Sequence, residues 1–167
     1  MTPVISFVGK HNSGKTTLLT RVIEVLVKKN IKTAVIKHAA SELDINSAND
    51  SDRLFNAGAS RVYASSPGKT LEYSRSSAEM DLKDICNRVS NGVDLVLTEG
   101  FKKEPYPKIE VLRSAISKKT MDLNNVVARV ADFNLGENDS KQVFQFNQHD
   151  EIAEFIIDLF NLNDKRL

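Results

Sequence analysis

The sequence predicts an α/β fold, with a largely parallel central sheet flanked by helices and some additional short strands. Three observations predict it. Val4-Ile5-Ser6-Phe7-Val8 is a short apolar run closed by Gly9, the pattern of a strand buried on both faces. From Gly14 to Lys29 the apolar residues Leu18, Leu19, Val22, Ile23, Val25, Leu26 and Val27 recur at helical spacing, with Lys28 and Lys29 suited to the C-terminal end. Thr33-Ala34-Val35-Ile36 then reads as a second strand, completing a βαβ unit whose strands are expected to be parallel and its crossover right-handed.

The remaining elements follow in order. Residues 39 to 52 are polar and poorly periodic, the composition of a loop, and Arg53 to Ala57 reads as a short helix ended by Gly58. Arg61-Val62-Tyr63-Ala64 and Thr70-Leu71-Glu72-Tyr73 flank the turn cluster Ser65-Ser66-Pro67-Gly68, which predicts two short strands. Asp81 to Val89 reads as a helix and Val93 to Thr98 as a strong strand. Beyond a loop through Pro105 and Pro107, further strands are expected at Ile109 to Leu112, Val126 to Ala131 and Val143 to Phe146. The chain closes with a helix over Asp150 to Leu162, where Ile152, Phe155, Ile156, Leu159 and Phe160 form one face. At 167 residues, with no repeat or low-complexity linker, the expectation is one domain over residues 1–167.

Composition narrows the partners. Lys and Arg number 23 against 22 Asp and Glu, so no basic block marks a nucleic-acid or membrane surface. Cys86 is the single cysteine, which excludes a disulfide framework, and no apolar run reaches the ~18 residues of a membrane span. A soluble cytoplasmic protein is expected, without nucleic acid or membrane as partner.

The chemistry is concentrated between the first strand and helix. Gly9, Gly14, Lys15 and Thr16 satisfy the G-x-x-x-x-G-K-[ST] pattern of a P-loop, in the strand-turn-helix setting the pattern requires. The two glycines allow close backbone approach to phosphate. The amides of Lys10, His11, Asn12, Ser13, Gly14, Lys15, Thr16 and Thr17 converge with the helix N-terminus on negative charge. Lys15 supplies a point charge for the β- and γ-phosphates, and Thr16 a hydroxyl for Mg²⁺.

An acidic partner is required at a neighbouring strand end. Glu99, directly after Leu95-Val96-Leu97-Thr98 and before Gly100, occupies that edge, and its readings are metal or water positioning and a solvated turn carboxylate. Asp94 stands at the opposite, strand-start end. Lys37 and His38 follow the second strand on the same ligand edge, where a phosphate contact competes with a loop hydrogen bond for His38. Asp50, Ser51 and Arg53 fit either a nucleotide-ordered switch or a solvated loop. Lys102, Lys103 and Lys108 read as a basic rim beside Glu99 or as ordinary surface lysines. Asp132, following the strand over 126–131, is placed either to accept the guanine amino and imino hydrogens or to face solvent.

Taken together, Gly-Lys-His-Asn-Ser-Gly-Lys-Thr-Thr-Leu at 9–18, Asp-Ser-Asp-Arg at 50–53, Ala-Gly-Ala at 57–59, Leu-Thr-Glu-Gly-Phe-Lys at 97–102 and Pro-Lys-Ile-Glu-Val at 107–111 resemble the molybdopterin-guanine dinucleotide biosynthesis protein B (MobB) family. The pairing of the last two elements is more specific than the P-loop alone. The resemblance implies a homodimeric GTP-binding accessory protein with weak GTPase activity. It further implies a role in attaching GMP to molybdopterin beside a MobA-like nucleotidyltransferase. The chain departs from the family's pattern at Ser47-Ala48-Asn49, where Pro-Gly-Lys is common, and at Ala39-Ala40-Ser41, where many relatives carry a second histidine. Lys10 also gives the loop a likeness to deviant P-loops whose extra lysine reaches a partner's nucleotide, against the ordinary reading of an exposed loop lysine. A small-molecule kinase is the alternative function, though no arginine-rich lid is present. The Asn-Lys-x-Asp and Asp-x-x-Gly elements of a regulatory GTPase are absent from the sequence.

Overall fold

The computed structural model describes residues 2–39, 50–136 and 140–162. The chain forms two compact units. One runs from Met1 to His38 and from Leu82 to Leu167, and the other from Ala39 to Asp81.

In the first unit, β1 (Val4–Gly9) leads into α1 (Lys15–Lys28) and β2 (Thr33–Lys37). After the second unit come α3 (Leu82–Val89), β5 (Leu95–Glu99), β6 (Lys108–Leu112), β7 (Val126–Ala131), β8 (Gln142–Phe144) and α4 (His149–Leu159). The six strands make one parallel sheet in the order β2-β5-β1-β6-β7-β8. β1 is thus central, and its six residues are all buried. Successive side chains alternate between two apolar layers. Ile5, Phe7, Leu95 and Leu97 face the layer that holds α1 and α4, whereas Val4, Ile36 and Val96 face the layer that holds Leu82 and Cys86 of α3. This two-sided burial is why the strands read as continuous apolar runs.

Two charged side chains lie inside the sheet, both on β6. Glu110 is fully buried, accepting from Arg129 Nε of β7 at 2.9 Å and from the Met121 amide at 2.6 Å. Lys108 is only 1% exposed, and its ammonium donates to the carbonyls of Glu104 and Tyr106. Its place on a basic rim is therefore corrected: burial lowers its pKa, and its protons are spent on closing the loop before β6.

The second unit contains α2 (Asp50–Asn56) and an antiparallel hairpin of β3 (Arg61–Ser66) and β4 (Lys69–Ser74). The hairpin turns at Pro67-Gly68, where Gly68 has φ +79°. Helix α2 starts three residues earlier than expected, because Asp50 and Asp52 suit a helix N-terminus. Ser41 and the Ser47-Ala48-Asn49 segment lie outside the described residues. The last strand and last helix are shorter than their apolar patterns, with Phe146 and Leu162 lying beyond them. No described helix is long and apolar enough to cross a membrane.

Candidate functional site

Residues 9–16 connect the central strand to α1. Gly9 is paired with Val111 on β6, and a Cβ at Gly9 would fall 2.5 Å from the Val111 carbonyl oxygen and 2.7 Å from Ser13 Oγ. Only glycine fits there. The loop then turns through Asn12 at φ 59° and Gly14 at φ 86°, both left-handed, and the Ser13 amide donates to the Lys10 carbonyl. Helix α1 starts at Lys15 with neither a side-chain cap nor an acidic residue in its first turn. Its first amides and positive dipole end are left for an anion. Thr17 lies exposed in that first turn, as does the side chain of Lys10 in the loop.

Lys15 Nζ donates to the Lys10 carbonyl at 2.7 Å. Partial burial lowers its pKa, and Lys102 and Lys37 push the same way against the opposing pull of Glu99. An ammonium so placed gains from a negative ligand. Thr16 Oγ1 lies 2.9 and 2.8 Å from the two Glu99 carboxylate oxygens. Lys37 Nζ is 3.9 Å from the same carboxylate, which is nearly buried.

Glu99 is held by its backbone. The His38 amide donates to the Glu99 carbonyl at 2.9 Å, and the Gly100 amide to the Phe7 carbonyl at 3.0 Å. Gly100, at φ 99°, passes so close to His38 that a Cβ would lie 2.9 Å from His38 Cβ. Phe101 follows at φ 53°, its ring centroid 5.1 Å from that of His38. His38 thus packs the turn that aims Glu99. Asp94 caps the far end of β5, accepting from the Lys32 amide at 2.9 Å, in keeping with a strand-start role.

The structure brings Lys15, Thr16, Lys37 and Glu99 together at the C-terminal edge of β1, β2 and β5. Asp132 follows β7 along the same sheet, one oxygen accepting the Ser114 amide at 2.6 Å, and this bond chiefly holds its carboxyl below the ordinary range. Asp50 and Arg53 belong to the other unit, where they pair with each other at 3.4 Å on α2. Sequence reasoning passed over Arg113 and Phe146. A Cβ on Gly14 would lie 3.0 Å from Arg113 Nη2 and 3.4 Å from Phe146 Cε1. The available signal was Arg113's place directly after β6, the argument already applied to Glu99 and Asp132.

A parallel sheet with a glycine loop between its central strand and an uncapped helix, faced by Thr16 and Glu99, defines an α/β protein of the P-loop type. The family model for molybdopterin guanine dinucleotide synthesis protein B matches residues 4–132. The chain belongs to that family. It is 31% identical over 156 residues to the molybdopterin-guanine dinucleotide biosynthesis adapter protein of Haemophilus influenzae, covering 92% of this chain and 87% of that one. To the adapter protein of the same name from Escherichia coli it is 28% identical over 165 residues, covering 95% and 93%. A crystal structure of molybdopterin-guanine biosynthesis protein B superposes with TM-score 0.77 at 34% identity, over 93% of this chain and 99% of that one.

Proposed function

We propose that this chain is a GTP-binding accessory protein of molybdenum cofactor synthesis, acting in the cytoplasm as a homodimer. It assists a MobA-like nucleotidyltransferase in converting molybdopterin to its guanine dinucleotide and hydrolyses GTP slowly. The observation that carries the nucleotide part is the pairing of Thr16 with both oxygens of Glu99 beside Lys15, at the open N-terminus of α1. The adapter role rests on family membership and on the names of the relatives.

The donors fit Mg²⁺. A hydroxyl and a carboxylate are hard oxygen ligands, and two protein groups suffice for an ion that keeps waters and takes phosphate oxygens. Thr16 spends its single proton on Glu99 and retains lone pairs for a cation. When bound, the ion would neutralise charge on the β- and γ-phosphates. Lys15 and the amides from Lys10 to Thr17 hold the phosphates, Lys37 adds positive charge at the γ end, and Glu99 orients water. Catalysis is then positioning and charge stabilisation, consistent with slow turnover. Ser13 Oγ, buried in the loop and without a hydrogen-bond partner among the described residues, is a further group that a ligand or water would satisfy. In this reading the whole chain serves as one nucleotide-binding domain. Asp132 reads the base, and Lys10 is available to a partner protomer's nucleotide.

Titration of GTP and ATP with Mg²⁺, followed by hydrolysis assays with and without the nucleotidyltransferase, tests the proposal. GTP preference, slow turnover and stimulated guanine dinucleotide formation are expected. Rapid phosphorylation of an added small-molecule acceptor would instead establish a kinase.

A further inference from the structure

The phosphate groups of the site have a direction. Thr16, Glu99 and Lys37 gather on the β5 and β2 side of β1, and this marks the γ end. A triphosphate lying over the N-terminus of α1 must send its nucleoside the other way, past Gly14 and over the ends of β6, β7 and β8. At that point stands a pair with no role in holding the γ end. The Arg113 guanidinium lies 4.1 Å from the centroid of the Phe146 ring, and both side chains abut Gly14.

We propose that Arg113, backed by Phe146, is the stacking platform for the purine base, and that it gives the site its preference for a nucleotide over a bare polyphosphate. The inference rests on the nucleotide reading above and deepens it. Three features support it. Arg113 is half-buried and, among the described residues, no hydrogen bond or ion pair holds its guanidinium, which lies against the Phe146 ring and within electrostatic reach of Asp132. A planar cation already ordered on a ring receives a second flat group with little further loss of freedom. Beyond it, the Ser114 amide fixes the Asp132 carboxylate, which supplies a hydrogen-bonding edge next to a stacking surface. A base needs both: a face to stack on and a polar rim to read it.

The test compares Mg-GTP with Mg-tripolyphosphate, which carries the phosphate chain and no nucleoside, by calorimetric titration on the full chain. Wild-type protein is expected to bind GTP more tightly than tripolyphosphate. Arg113→Ala should weaken GTP by about tenfold and leave tripolyphosphate unchanged, since loss of one stacked contact is of that order. Arg113→Lys, which keeps the charge and loses the plane, should behave as Arg113→Ala, and Phe146→Leu should follow in the same direction. Equal weakening of both ligands would make Arg113 a phosphate contact and overturn the platform. So would full GTP affinity in Arg113→Lys, or equal wild-type affinity for the two ligands. If wild-type protein binds neither ligand, the nucleotide reading itself fails and the platform with it.

Discussion

Lys15 is the side chain on which the phosphate site depends most directly. Among the described residues its ammonium has one hydrogen-bond partner, the Lys10 carbonyl, so Lys15→Ala removes little from the fold. It should nevertheless weaken Mg-GTP by about a hundredfold or more, the usual result of deleting one member of a desolvated charge pair. Unchanged affinity with an unchanged circular dichroism spectrum would refute the assignment. The lowered pKa of Lys15 adds a pH dependence, with opposite signs for stability and binding. Between its folded value and the 10.5 of an ordinary lysine, the unfolded chain holds more protons than the folded one, so this residue makes stability rise with pH. Binding runs the other way, because the anion needs the ammonium. Affinity should be flat near neutrality and fall by about tenfold per pH unit above the folded value, beginning below the range of a free lysine. An affinity that holds up to 10.5 would contradict it. The sequence discloses Lys15, Thr16 and Glu99 because each follows from a local rule, a loop motif or a strand end. Lys108 misled for the same reason: Pro105-Tyr106-Pro107-Lys108 looks like a surface loop, and only the folded chain turns two carbonyls onto that ammonium.

At the scale of elements, β6 joins the site to the outer half of the sheet, and Lys108 at its start is a structural pin for residues 104–106. Lys108→Met keeps the stem that fills the space and removes the donors. It should therefore cost about 1–3 kcal/mol in urea unfolding, with the freed carbonyls opposed by relief of a buried charge. Affinity for Mg-GTP and its dependence on salt should stay as in wild type. A weakened affinity at full stability would restore Lys108 to the anion rim. The strands and α1 were legible because burial on both faces leaves continuous apolar runs, and one-face burial leaves a helical period. Element ends were less so, since apolar residues such as Phe146 and Leu162 pack beyond the helix or strand they appear to extend. Strand order was not legible at all. That β6 lies beside β1 is fixed by pairings such as Gly9 with Val111, between residues about a hundred positions apart.

For the whole molecule, the phosphate groups and the proposed base platform come from segments before residue 39 and after residue 81, brought together by the parallel sheet and by the packing of α1 against α4. Phe146 therefore escapes a reading of local sequence, and Arg113 offers it only a strand-end position, because the two meet Gly14 through the order β1-β6-β7-β8. A ligand held this way binds the folded sheet and has no counterpart in the unfolded chain, so its binding energy should appear as stability. At a hundred times its dissociation constant, Mg-GTP should add about 2.7 kcal/mol. For a chain of this size that corresponds to a rise of about 5–10 °C in the thermal midpoint. Scanning calorimetry at increasing GTP should show the midpoint climb logarithmically with concentration, and Lys15→Ala should cut the shift to about 1–2 °C or less at the same GTP concentration. Arg113→Ala needs more GTP to reach the same midpoint, yet should match wild type when tripolyphosphate replaces GTP. A midpoint insensitive to Mg-GTP in wild-type protein would mean that these distant segments do not assemble a nucleotide site.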